Sequence, residues 1–157
     1  MRERMGHDLE SLIDVERYPI GQRGSAAYNA LVESARAGLD ARNCAQLPDF
    51  IRPAALAEMQ SEAALLSEHA TYTEAWLNPY FSDPPEDAAP DHPLRRFSLR
   101  RHGMIRGDRF SRDGVIWSVF QSPELCRFVA DCLGYGELHP YADPYGCVNV
   151  NVQPPGC

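Results

Sequence analysis

The hexapeptide VNVNVQ, residues 148–153, alternates three valines with three amide side chains. Successive side chains of a β-strand point to opposite faces, so this pattern predicts a strand with one valine face and one amide face. Periodicity alone favours an antiparallel strand whose amides lie in water. A second interpretation is a barrel-like strand whose valines pack outward beneath helices while Asn149, Asn151 and Gln153 line a polar cavity. Amides suit such a cavity because each can donate and accept hydrogen bonds without adding charge.

The segment after this strand is short and ends in PPGC, residues 154–157. An apolar strand face and free hydrogen-bonding edges would then have no following partner, an arrangement that natural domains avoid. We therefore expect the natural fold to continue, and the chain to be a fragment or a truncated product. Self-association through the exposed strand edges is a further expectation.

Three helices are predicted ahead of this strand. Ser25 is a good N-cap, and apolar residues recur after it at helical spacing up to about residue 42. Pro53 suits the first turn of a second helix. The third helix begins after Ser122 and stops at Gly134, since glycine readily adopts the left-handed conformation that ends a helix.

The other predicted elements are less regular. Residues 1–24 have weak periodicity and are predicted to form an extended arm, which leaves one domain over residues 25–157. The further strand candidates are residues 44–47, short pieces at residues 97–99 and 104–105 broken by Gly103, residues 138–142, and residues 147–153. Five prolines in residues 78–93 predict a long surface loop. Together the helices and strands indicate an α+β fold.

Composition limits the class of protein. The chain has 157 residues, a net charge of −7, and no apolar run long enough to span a membrane. No apolar stretch follows the first arginines, so we expect no secretory signal and a cytoplasmic location. Nonspecific attraction to nucleic acid is disfavoured by the acidic balance. Five cysteines without a C-x-x-C pair indicate neither a disulfide framework nor a structural zinc site.

Arginines cluster between residues 95 and 112, a stretch that contains seven arginines and a single acidic residue, Asp108. Arg95 and Arg96 are candidate contacts for an anion, because the planar guanidinium fork matches carboxylate and phosphate. The simpler interpretation, which carries more weight, is that this cluster offsets the acidic loop that precedes it.

Three stretches of the chain resemble the N-terminal part of bacterial Fe(II)/2-oxoglutarate-dependent dioxygenase-like proteins. They are CAQLPDFIRPAALAEMQSEAALL at residues 44–66, DHPLRRF at residues 91–97 and YADPYGCVNVNVQPPGC at residues 141–157. The resemblance implies N-terminal helices followed by the first strands of an apparently incomplete double-stranded β-helix, or jelly roll. In the full-length form it implies an enzyme that hydroxylates or otherwise oxidises a small-molecule substrate, with Fe(II) and 2-oxoglutarate as cofactors.

Iron in that family is held by two histidines and a carboxylate, and the first two of these ligands lie in a His-x-Asp motif. None of the five histidines here is followed two residues later by Asp or Glu, so no metal ligand and no catalytic residue is assigned. The chain alone is predicted to bind neither cofactor and to be inactive. The resemblance leaves four pocket-lining candidates: Tyr141, Asn149, Asn151 and Gln153. The alternative function is a non-catalytic interaction or scaffold domain that arose by truncation.

Overall fold

The computed structural model describes residues 7–155, which form an α+β fold. The helices are α1 (Leu9–Leu12), α2 (Ala26–Arg42), α3 (Pro53–Leu66), α4 (Val115–Phe120) and α5 (Pro123–Leu133). Short 3-10 helices lie at Ser67–His69, Pro93–Arg95 and Gly107–Arg109. The strands are β1 (Thr71–Leu77), β2 (Ser98–Ile105) and β3 (Val150–Val152). No helix in this part of the chain is both long and apolar enough to cross a membrane.

The three predicted helices are confirmed, and their caps explain their limits. The Ser25 side chain accepts a hydrogen bond from the Tyr28 amide at the start of α2, and Ser122 accepts one from Leu125 at the start of α5. These bonds satisfy amides that have no partner inside the helix. Gly134 ends α5 at a φ of 75°, in the left-handed region, as predicted.

The segment that precedes α2 contributes to the helical core. Leu12, Ile13, Tyr18 and Ile20 are buried, and they pack with α2, α3 and α5 in one hydrophobic cluster. Residues 7–24 are therefore a packed part of the fold and include α1, whereas the sequence pattern indicated an extended arm. The remaining residues of that predicted arm, 1–6, lie outside the described residues.

The sheet is antiparallel with the order β1-β2-β3. All seven residues of β1 pair with β2, whereas β3 pairs with only the last three residues of β2, Gly103 to Ile105. Ile105 is fully buried, and Val148, Val150 and Val152 join it in a second hydrophobic cluster. The valine face predicted for residues 148–153 therefore packs inward against this cluster.

Several strand predictions are wrong. Residues 44–47 and 138–142 are irregular, and the last strand covers only Val150–Val152 of the predicted residues 147–153. Gly103 does not break β2, which continues through it and pairs there with both Tyr72 and Val152. A Cβ at residue 103 would lie 2.7 Å from the Tyr72 ring, so glycine lets that ring lie close against the strand. Strand β1 was not predicted at all.

Candidate functional site

One face of the sheet forms a polar surface, which we call the polar sheet face. The register pairs Thr73 with His102 and Ala75 with Arg100, so these four side chains share a face. On the next strand Asn151 is opposite Met104, which places Asn151, and after it Gln153, on the same face. On the opposite face the valines of β3 pack in the second hydrophobic cluster, while Glu74 and Arg101 are exposed.

A concavity of about 620 Å³ lies on the polar sheet face. It is lined by Thr73, Ala75, Leu77, Phe81, Ser98, Leu99, Arg100, Arg101, His102 and Gln153. A concavity of this size holds a small organic molecule. Its lining combines hydroxyl, amide, imidazole and guanidinium groups with apolar side chains, so it can both orient polar groups of a ligand and shield an apolar part from water.

A turn after β1 places Phe81 at the rim of the concavity. Asn78 is 1% exposed, and its side-chain amide donates to the carbonyls of Ser82 at 2.6 Å and Leu94 at 2.8 Å. Its side-chain oxygen accepts a hydrogen bond from the Tyr80 amide at 3.0 Å. Within this turn Phe81 has a φ of 54°, a left-handed conformation that is unusual for a bulky side chain. Asn78 therefore holds a strained turn that presents an aromatic ring beside the polar sheet face.

The two neighbouring arginines of β2 have different surroundings. The Arg101 Nε lies 3.3 Å from a carboxylate oxygen of Glu74, and its guanidinium stacks over Tyr72 on the opposite face. Arg100 makes no salt bridge to any residue within 7–155, and its guanidinium lies 5.7 Å from the centre of the Phe81 ring. The positive charge on the polar sheet face is thus available to a ligand.

The four predicted pocket-lining residues are placed differently. Gln153 lines the concavity, and Asn151 lies on the same face outside it. Asn149 is exposed just before β3 begins. Tyr141 is 68% exposed in an irregular segment, where its ring lies beside Gly146 and away from the concavity. Thr73, Arg100 and His102 were not predicted as pocket residues, because they come together only through the pairing of β1 with β2.

The candidate anion contacts Arg95 and Arg96 lie away from the concavity. Arg95 donates to the carbonyls of Pro85, Glu86 and Ala88, so its guanidinium holds the acidic loop in place. Arg96 is exposed beside it and does not line the concavity. The link between the arginine cluster and the loop thus runs through backbone carbonyls and not through the loop's carboxylates.

The residues of the polar sheet face do not fit an iron site. Iron of the oxygenase type needs two histidines and a carboxylate, and His102 is the only histidine that lines the concavity, with no Asp or Glu beside it. Across residues 7–155 no group of three His, Cys, Asp or Glu side chains is arranged to hold a metal ion. The face can therefore bind and orient a ligand, but it does not itself supply a metal centre.

A second polar cluster joins the start of α2 to the end of α5. Asp131 accepts hydrogen bonds from the Tyr28 hydroxyl and from both Nε and Nη2 of Arg23, and its backbone carbonyl accepts from Arg36. The bond from Tyr28, with that from Arg23, lowers the pKa of Asp131 below its ordinary value. Burial, aided by the bond to Asp131, raises the pKa of Tyr28 to about 12. Each charged side chain and the Tyr28 hydroxyl has a hydrogen-bond partner within the cluster, so we interpret the cluster as structural.

Comparison with protein-family models, with curated proteins and with solved structures gives no significant match to this chain.

Proposed function

We propose that the polar sheet face is the inner wall of a small-molecule cavity in the N-terminal portion of a non-haem Fe(II)/2-oxoglutarate dioxygenase-like protein. The observation that carries the proposal is the segregation of the last strand. Its valines pack into the core, while Asn151 and Gln153 share the opposite face with Thr73, Arg100 and His102. A strand with one apolar face against the core and one polar face towards a concavity is the arrangement expected of a barrel wall that lines a cavity.

Within such a cavity the residues of this chain would bind and orient substrate. Arg100, His102 and Gln153 offer donors to polar groups, and Thr73 offers a hydroxyl that can donate or accept. Leu77 and Phe81 form the apolar side, which excludes water from the ligand body. In the full-length protein, iron and 2-oxoglutarate would supply the oxidation of a substrate C–H bond, and their ligands would come from residues other than those of the polar sheet face.

The alternative, a non-catalytic interaction domain, is favoured by one observation. Strand β1 has no partner on its outer side within residues 7–155, and Trp76 and Leu99, which pair across the strands, are 66% and 47% exposed. An unpaired strand edge beside exposed apolar side chains is a surface on which a partner strand can add.

The gene that encodes the chain separates the two functions. An in-frame His-x-Asp motif within about twenty codons beyond Cys157, followed by a distant histidine, would complete the iron ligands and support the oxygenase. A stop codon directly after Cys157 would contradict the oxygenase and favour the interaction domain.

An assay on the 157-residue chain tests the assignment of the metal site. Incubation with Fe(II) and 2-oxoglutarate is expected to give no succinate above background, because no metal-ligand group is present within residues 7–155. The control is the same chain extended through any downstream His-x-Asp motif. Turnover by the unextended chain would contradict the placement of the iron ligands outside it.

A further inference from the structure

The concavity on the polar sheet face is amphipathic, and its two sides are made by different elements. One side carries the cation and polar groups Arg100, His102 and Gln153, and the other carries Leu77 and Phe81. We propose that it binds a small monocarboxylate with an apolar body, whose carboxylate meets Arg100 and whose body lies against Phe81. This inference rests on the proposed function only in that it names the ligand class of the same cavity wall.

Arg100 selects the charged head of the ligand. Its guanidinium has no carboxylate partner within residues 7–155, unlike that of Arg101, which contacts Glu74. A guanidinium binds a carboxylate through two parallel hydrogen bonds, and these charge-assisted bonds are about twice as strong as neutral ones. A single free arginine matches one negative charge, so a monoanion fits better than a polyphosphate. Gln153 and His102 provide further donors for the same head.

Phe81 selects the apolar body of the ligand. The buried Asn78 fixes the turn, so Phe81 is held at a φ of 54° with its side chain 70% exposed beside the concavity. The Phe81 ring lies 5.7 Å from the Arg100 guanidinium, so this left-handed turn brings an aromatic surface and a cation together in the same concavity. Leu77 and Ala75 extend the apolar surface along β1.

The test is a titration of the 157-residue chain with 3-phenylpropanoate, followed by isothermal calorimetry and ligand-observed NMR. Arg100→Gln is expected to weaken binding roughly tenfold, since it removes a charge-assisted bidentate contact. Arg96→Gln is the matched control, because it removes the same charge from an exposed arginine nearby in the chain that does not line the concavity, and it should leave affinity within about twofold. The neutral amide 3-phenylpropanamide should bind the wild type no better than 3-phenylpropanoate binds Arg100→Gln.

Phe81→Ala tests the apolar half separately. It is expected to weaken the binding of 3-phenylpropanoate. The binding of acetate, which has the same carboxylate but almost no apolar part, should be unaffected. Equal losses in Arg100→Gln and Arg96→Gln would show nonspecific attraction and overturn the proposal, and so would an absence of wild-type binding at millimolar ligand. The titration needs neither iron nor 2-oxoglutarate, so it tests the ligand class alone. A stop codon directly after Cys157 would contradict the proposed oxygenase function and would leave the result of the titration unchanged.

Discussion

At the scale of single residues, the hydrogen bond from Tyr28 to Asp131 is the contact whose loss should be easiest to measure. Tyr28→Phe removes a donor to a charged acceptor and is expected to lower the free energy of unfolding by about 1.5 to 3 kcal/mol. Tyr18→Phe is the control, because Tyr18 is equally buried but donates to the neutral carbonyl of Pro48. Urea unfolding at neutral pH should show the larger loss for Tyr28→Phe.

The same pair makes stability depend on pH in a direction that follows from the two pKa shifts. The pKa of Asp131 is lowered in the folded state, so its contribution is present above the ordinary Asp pKa of about 4 and is lost as pH falls below it. The pKa of Tyr28 is raised to about 12, so its contribution is present below about pH 10 and is lost as pH rises towards 12. Tyr28→Phe should flatten both losses. Unchanged acid and alkaline slopes would contradict this linkage.

Gly107 is a second position where one atom decides packing. A Cβ there would lie 2.7 Å from the Pro144 carbonyl oxygen and 2.9 Å from that of Val148, and both are backbone atoms. Gly107→Ala is therefore expected to cost more than about 2 kcal/mol of unfolding free energy, as other overpacked positions do. Gly136→Ala, where nothing lies within 4 Å of the added atom, should be nearly neutral. Thermal unfolding of the two variants compares them directly, and similar melting temperatures would contradict the packing.

At the scale of elements, the sequence predicts secondary structure correctly where interactions between neighbouring residues determine it. Helices α2 and α5 were predicted correctly because serine caps, a first-turn proline and Gly134 act within a few residues of each helix end. The separation of valines and amides onto opposite faces of the last strand also followed from alternation, but the surroundings of each face did not. A strand needs a partner, however, and residues 44–47 and 138–142 find none. Strand β1 was missed because it is exposed on both faces, so it lacks the hydrophobic signal of a buried strand.

The candidate site was only partly predictable for the same reason. Gln153 was identified from its own strand, but Thr73, Arg100 and His102 join it only through the register between strands. Tyr141 was chosen by resemblance, and in the structure it lies in an irregular segment away from the concavity. Sequence patterns therefore indicated which face of the last strand is polar, whereas pairing determined which other residues share that face.

The loop between β1 and β2 yields a prediction at this scale. Asn78→Ala removes three hydrogen bonds made by a buried side chain and leaves two carbonyls and one amide without partners. We expect a loss of about 2 kcal/mol and faster hydrogen exchange over residues 78–96. Helices α2 and α5 should keep their protection, and Asn29→Ala, at an exposed position on α2, should leave the loop unchanged. Uniformly faster exchange across the whole chain would contradict a local role for Asn78.

At the scale of the whole molecule, strand β1 offers an exposed edge to other copies of the chain. Six of the seven residues of β1 are exposed, and its outer edge is unpaired within residues 7–155. Unpaired edges with apolar side chains favour strand addition between molecules, so we expect concentration-dependent self-association through β1. The net charge of −7 opposes close approach, and raising the salt concentration should therefore strengthen the association.

Trp76→Lys distinguishes pairing at the edge of β1 from nonspecific hydrophobic association. It places a charge on β1, a device that natural edge strands use against pairing, and should lower the weight-average mass in sedimentation at high protein concentration. Leu65→Lys makes the same kind of change at a more exposed apolar residue, 76% exposed against 66%, but on α3. If association runs through the strand edge, only the first variant remains monomeric. Strand pairing should be sensitive to a charge on β1 and insensitive to one on α3. Equal effects of both variants would therefore mean that exposed apolar area, and not backbone pairing, brings the molecules together.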